Sequence, residues 1–387
     1  MIHQPGAHWG EAPCASNYNL ALYWGKPINT FIFTVISFFN AGENGYATFV
    51  KNLKGAYNVN GKIRNTLLGA AGAVISAAVI RQEISRAFDR NMVGTALDRE
   101  EPRAMQKMKE RLKGDGGDND EIMAFCRELQ HQLEKRPHQV VQMTSYDGTE
   151  LAGHLFCVER PKRVILAMHG WRSCWARDFG PVADFFRDND CTVLYAQQRG
   201  QGESGGEYMG FGMIERFDCL EWVKWLNANG FGVSRIYLAG ISMGATTVLM
   251  TAGFPELPEN VAGVLADCGF TSAKAEWKYI SENNLRVPYD RRCKHVDALC
   301  RKRIELDSDA YTTLDAMKTC RVPILFVHGE ADTFVPVEMT LQNYETCRAP
   351  KQMLIVPGAN HGMSYFWDRE GYENAVKSFF REQEKPG

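Results

Sequence analysis

The chain has 387 residues, 45% hydrophobic and 11% aromatic, enough for one large domain or two ordinary ones with a substantial core. A formal net charge of −2 gives no sign of a nucleic-acid partner. Eleven cysteines, an odd number without C-x-x-C pairs or His/Cys clusters at zinc spacing, fit reduced cytosolic thiols better than a disulfide framework. No H-E-x-x-H, EF-hand or carboxylate cluster suggests a metal.

Residues 1–100 read as an N-terminal extension. Pro27 to Gly42 and Asn65 to Ile80 are uncharged runs of 16 residues each, short of the about 17–20 apolar residues a spanning helix needs. The second run, with Lys62 and Arg64 before it, resembles a signal anchor or an uncleaved signal segment. Membrane contact through residues 63–80 is one reading; a helix packed on the catalytic domain, or lying at an interface, is the other. Localisation is accordingly expected to be cytoplasmic or membrane-attached. The stretch from Gly55 to Lys62 misses the P-loop spacing by one residue and has Ile63 where Ser or Thr belongs.

Residues 101–137 form a helical lead-in, Glu101 to Lys113 and Asp120 to Arg136, parted by Gly114-Asp115-Gly116-Gly117-Asp118. From His138 to the end, strands and helices alternate, the pattern of a mostly parallel α/β sheet with helices on both faces. Gln139 to Ser145 and Leu151 to Val158 form a hairpin. Strands follow at Val164 to Met168, Thr192 to Ala196, Arg235 to Ala239, Val261 to Ala266, Pro323 to Val327 and Gln352 to Val356. Helices are expected at Trp175 to Asp188, Met213 to Asn229, Ala245 to Gly253, Val337 to Thr346 and Tyr372 to Glu382. The segment from about 271 to 318 is too long for a crossover and reads as a small helical cap over the carboxyl edge of the sheet.

Two matches to G-x-S-x-G lie in this region. Gly240-Ile241-Ser242-Met243-Gly244 joins a strand directly to a helix, so Ser242 sits on a sharp turn with its Oγ raised above the sheet. Gly240 and Gly244 suit that turn because a Cβ would collide there. Gly202-Glu203-Ser204-Gly205-Gly206 begins well after its strand and runs into more glycine, so Ser204 reads as a loop residue. Its glycines also spell G-x-G-x-x-G, without the helix start a dinucleotide site requires.

A serine nucleophile needs a base held by a third group. In this strand-turn-helix setting the order is Ser, then Asp or Glu, then His. Asp332 follows the strand Ile324 to Val327, and His361 follows Met353 to Val356. Asp267 is the alternative acid and Glu330 a weaker one; His169, His328 and His295 have structural or solvated readings. Oxyanion donors are expected at the backbone N–H groups of Met243 and Trp171, the indole of Trp171 being left to line the acyl pocket. The mechanism calls for no cofactor.

Together His169-Gly170-Trp171, Gln198 to Ser204, the Ser242 elbow, Asp332 and His361 resemble the α/β-hydrolase superfamily, in its serine esterase/lipase and prolyl-peptidase-like branch. The resemblance spans about 138–383, and poorly characterised bacterial members also carry a hydrophobic N-terminal segment. It implies hydrolysis of a small-molecule carboxylic ester through a Ser242 acyl-enzyme. A peptidase, amidase or thioesterase would use the same triad, and a non-catalytic membrane-attached interaction protein is a further alternative. The oxyanion loop is His-Gly-Trp, which departs from the His-Gly-Gly-Gly type. Seven Lys/Arg against two Asp between Arg286 and Arg303 suit either an anionic substrate or a solvated face. Trp171, Trp175, Phe179, Phe270 and Trp367 are candidates for the mouth of the site.

Overall fold

The computed structural model describes residues 95–100, 119–284, 288–290 and 293–384. The segments 63–80 and 101–113 therefore lie outside the described residues. Among the described residues no helix is long and apolar enough to cross a membrane.

The strands are β1 (Gln139–Thr144), β2 (Glu150–Phe156), β3 (Arg163–Met168), β4 (Cys191–Ala196), β5 (Ile236–Ile241), β6 (Val261–Asp267), β7 (Ile324–Gly329) and β8 (Lys351–Val356). They form one sheet in the order β1-β2-β4-β3-β5-β6-β7-β8. β2 pairs antiparallel with β1 and β4, and every other pairing is parallel. This is the α/β-hydrolase architecture expected from the alternation of elements. The chain passes from β3 out to β4 and returns to β5 on the other side of β3. That reversal opens a crevice at the carboxyl edge, where ligands bind in open sheets of this kind.

Helices cover both faces: α1 (Asn119–Glu134), α2 (Trp175–Phe179), α3 (Ala183–Asp188), α4 (Glu215–Leu226), α5 (Met243–Thr251), α6 (Ala273–Tyr279), α7 (Cys293–Ile304), α8 (Thr313–Thr319), α9 (Val337–Thr346), α10 (Ser364–Trp367) and α11 (Arg369–Gln383). Alternate strand residues supply two apolar clusters. Leu166, Leu194, Leu238, Val264 and Phe326 meet Trp222 and Val248 on one face; Ile165, Tyr195, Tyr237 and Leu325 meet Phe179, Phe186 and Phe379 on the other. A third cluster, with Phe211, Met243, Phe270, Trp277 and Val335, lies at the carboxyl edge.

Local chemistry explains the departures from the expected boundaries. The single helix expected from Trp175 to Asp188 is two, because Pro181 has no N–H to continue it. A Cβ on the adjacent Gly180 would come within 3.0 Å of the Leu129 backbone in α1. α5 starts at Met243, directly on the elbow, and all nine of its residues are buried. β5, β6 and β7 each run past the apolar run that marks them, since residues such as Gly240 and Gly329 still pair.

Arg199, at the exit of β4, is buried among acids. Its Nε and Nη2 donate to Asp218 at 2.6 and 2.5 Å, and its Nη1 donates to Asp147 at 2.7 Å. Removing the buried Asp218 carboxylate leaves the guanidinium without its main partner. Asp218→Ala is expected to cost about 3–5 kcal/mol of stability in urea denaturation, and a loss below about 1 kcal/mol would show that the cluster is dispensable.

Candidate active site

The register of the parallel strands brings their ends into line. Met168 pairs with Gly240, Ile241 with Asp267, and Gly329 with Val356. The segments that follow β3, β5, β6, β7 and β8 therefore emerge side by side, and they carry Trp171, Ser242, Cys268, Asp332 and His361.

Ser242 has φ 56° and ψ −118°, a conformation L residues seldom adopt. It is held there by its N–H donating to the Asp267 carbonyl at 2.9 Å and by its own carbonyl accepting from Thr246 N–H at 3.0 Å. A Cβ on Gly240 would lie 2.3 Å from the carbonyl carbon of Gly244, and one on Gly244 would lie 1.8 Å from the Met168 oxygen. Both glycines are required by contact.

His361 Nε2 lies 2.9 Å from Ser242 Oγ, and its Nδ1 lies 2.7 Å from Asp332 Oδ2. With Nδ1–H donating to the carboxylate, Nε2 is left to accept the serine proton. Asp332 Oδ1 accepts from the N–H groups of Phe334 and Val335 at 2.8 and 2.9 Å. Burial works to raise this carboxyl, but the His361 charge and the hydrogen bonds of His328 and His361 outweigh it and hold it down at about 2. Asp267 is different. Burial lifts it to about 6, and its Oδ1 accepts from Ser364 Oγ at 3.1 Å.

The loop after β3 is pinned from several sides. His169 Nε2 accepts from Gln198 N–H at 3.1 Å, so its Nδ1–H donates to the Gly170 carbonyl at 2.8 Å; burial lowers its pKa and keeps the ring neutral. Gly170 N–H donates to Asp178 at 2.6 Å, and Asp178 also accepts from Ser173 Oγ. Met243 opens α5, so its N–H has no partner within the helix. The Trp171 indole Nε1–H donates to the Ala96 carbonyl at 2.8 Å and ties the segment 95–100 to the site.

Among the mouth aromatics, Phe270 and Trp171 belong with the carboxyl-edge cluster, whereas Trp175 and Phe179 pack in the core on one face of the sheet. Ser204 is buried; its Oγ donates to the Gln197 carbonyl and accepts from Ala152 N–H at 3.0 Å, the structural role its loop suggested. In the basic stretch, Arg303 pairs with Asp98 and Arg301 with Asp307, while Arg286, Arg291 and Arg292 lie outside the described residues.

Sequence reasoning missed what supports Asp332. His328, fully buried, places Nε2 2.9 Å from the Val335 carbonyl and 3.2 Å from Asp332 Oδ2, while its Nδ1 meets Thr340 Oγ1 at 2.7 Å. Its place at the strand end, four residues before the acid, was the available signal. Cys268 was also missed: its donor atom and those of Asp332 and His361 all lie within 4.8 Å of one another. Such a trio suits a metal by composition, but here the carboxylate and the ring are spent on each other. Burial pushes the Cys268 thiol well up, away from the thiolate a metal needs.

The fold and this site define a class, the α/β-hydrolases. The sequence model of the prolyl oligopeptidase family matches residues 177–385, more than half of the chain, and the chain belongs to that family. It is thereby a serine hydrolase. It is 29% identical over 250 residues to the uncharacterized protein YqkD of Bacillus subtilis (strain 168), covering 64% of this chain and 80% of that one. It is 22% identical over 238 residues to the uncharacterized protein YfhR of Escherichia coli (strain K12), covering 60% and 75%. Among solved structures, the Pyrococcus furiosus esterase Pf2001 superposes with a TM-score of 0.52 at 23% identity, covering 64% of this chain and 91% of that one. The α/β-hydrolase GrgF from Penicillium sp. sh18 does so with 0.52 at 20%, covering 64% and 99%.

The two carboxyls on neighbouring strands affect stability with opposite signs. Asp332, held below its ordinary value, contributes stability above pH ~4 that is lost as pH falls toward 2. Asp267, lifted from 3.8 to about 6, opposes folding once ionised, a penalty absent below pH ~4 and complete above pH ~6, at most about 3 kcal/mol. Asp267→Asn is therefore expected to stabilise the protein at pH 8 and have little effect at pH 4. Equal shifts at both, in urea melts, would contradict this.

Proposed function

We propose that the protein hydrolyses carboxylic esters through a covalent acyl-Ser242 intermediate, with His361 as base and acid and Asp332 as its orienting partner. The observation that carries this reading is the continuous chain Ser242 Oγ–His361–Asp332 at 2.9 and 2.7 Å. His361 Nε2 takes the Ser242 proton as Oγ attacks the carbonyl carbon. Asp332 keeps Nδ1 protonated and stabilises the imidazolium. The N–H groups of Met243 and Trp171 hold the oxyanion. His361 returns the proton to the departing alcohol; water then attacks the acyl-enzyme by the same route and Ser242 is regenerated. No step calls on a metal or cofactor.

Esters are favoured by the apolar cluster that Met243 joins, which suits an acyl or aryl group. That the Pyrococcus furiosus structure sharing this fold is an esterase agrees with it. Amide or peptide hydrolysis is the second reading, favoured by membership of the prolyl oligopeptidase family.

A fluorophosphonate probe is expected to label the wild type and not Ser242→Ala; equal labelling would end the proposal. Given labelling, p-nitrophenyl esters against aminoacyl p-nitroanilides decide between the two substrate readings. Asp332→Asn should lower kcat about 10⁴-fold, while Asp267→Asn keeps most of the activity. The reverse pattern would make Asp267 the acid.

A further inference from the structure

We propose that Glu276 is a specificity-determining residue of this site, binding substrates that carry a neutral hydrogen-bonding substituent, an amide or a hydroxyl. The inference rests on the serine-hydrolase reading above and adds a substrate class to it.

Glu276 lies on α6, on the face that also buries Ala273 and Trp277 against the carboxyl-edge cluster containing Met243 and Phe270. The short link from β6 to α6 is clamped to the elbow. Thr246, whose N–H donates to the Ser242 carbonyl, accepts from Phe270 N–H at 2.9 Å and donates to the Phe270 carbonyl at 3.1 Å through Oγ1. Beyond α6, Asn284 Nδ2 donates to the Thr333 carbonyl at 3.2 Å, beside Asp332. α6 is thus registered to both the nucleophile and the acid loop. The Glu276 side chain is 1% exposed, yet neither carboxyl oxygen has a hydrogen-bond partner among the described residues. The Trp277 indole N–H, from the same buried face, is likewise unpartnered among them.

An unsatisfied buried carboxyl destabilises the fold that holds it, so its presence on a helix tied to the elbow and the acid loop calls for a partner that arrives with the substrate. Burial, and secondarily the Asp332 charge, pushes the Glu276 carboxyl well above its ordinary value. That favours the neutral carboxyl, both a donor and an acceptor, as apolar sites keep such acids. A group with both capacities, an amide or hydroxyl, completes it. An ammonium would first have to ionise it.

The test compares aryl esters of matched length whose acyl or alcohol part ends in methyl, hydroxyl, amide or ammonium. Wild type is expected to prefer the hydroxyl or amide over the methyl by about 10–100-fold in kcat/KM. Glu276→Gln, which keeps a neutral donor and acceptor, retains that preference. Glu276→Leu abolishes it and melts at a higher temperature than wild type; Glu276→Met repeats the test if Leu lowers the melting temperature. An unchanged preference in Glu276→Leu overturns the proposal. So does a wild-type preference for ammonium that Glu276→Gln removes. Labelling of Ser242 by a small fluorophosphonate is followed in every variant. Wild type that fails to label ends the hydrolase reading itself, whereas normal labelling with an unchanged preference ends only the assignment of Glu276.

Discussion

The packing of α5 against the end of β3 is the constraint on which the site depends. A Cβ at Gly244 would stand 1.8 Å from the Met168 oxygen, so helix and strand meet with no side chain between them. This contact fixes where α5 begins. With β5 paired to β3 at Gly240, the chain has only Ile241 to Met243 in which to pass from strand to helix. Ser242 absorbs that reversal at φ 56°, a strain of about 1–3 kcal/mol that the surrounding packing must over-determine. The same contact sets the oxyanion loop. A Cβ on Gly170 would meet the Asp178 carboxylate at 3.2 Å and the Ser242 Cβ at 3.4 Å, so the loop after β3 passes the nucleophile in close contact.

Around this fixed point the electrostatics separate two carboxyls that a reading of strand ends alone leaves as rivals. Asp267 ends β6, Asp332 lies in the loop after the neighbouring parallel strand β7, and both are buried. Asp332 faces two imidazoles and two backbone N–H groups and stays ionised; Asp267 meets one hydroxyl and is lifted to about 6. Environment parts their roles, as it does wherever two similar groups are tuned to different tasks. The backbone of Asp267 serves the site instead, since its carbonyl takes the Ser242 N–H.

What was legible in the sequence was what depends on local pattern. A turn marked the first two strands and apolar runs the other six, and the order of Ser242, Asp332 and His361 along the chain brought together three residues that the structure places in hydrogen-bonding contact. Contacts between distant segments were not legible. Nothing near Trp171 announces that its indole will bind the Ala96 carbonyl, or that Asp98 will meet Arg303. These pairings follow from the path of residues 95–100 over the loop at 200–209, where Met209 N–H meets the Leu97 carbonyl. Glu276 was illegible for a related reason. A glutamate among lysines in a short helix reads as a surface residue, and only the packing of α6 on the sheet edge buries it.

Three features that weaken this fold lie together at one edge of the sheet. Strained Ser242, the lifted carboxyl of Asp267 and the unpartnered carboxyl of Glu276 all gather at the carboxyl edge. The two face clusters of buried apolar side chains offset them. A sheet edge kept only for packing would lose nothing by relaxing each of them: glycine suits the conformation at 242, asparagine at 267 avoids the buried charge, and leucine at 276 has no polar atoms to satisfy. Stability alone therefore does not account for these three side chains. At Ser242 chemistry does, because a nucleophile raised above the sheet is what a reacting site requires and what a core excludes, whereas at Asp267 it is the main-chain carbonyl that serves the nucleophile.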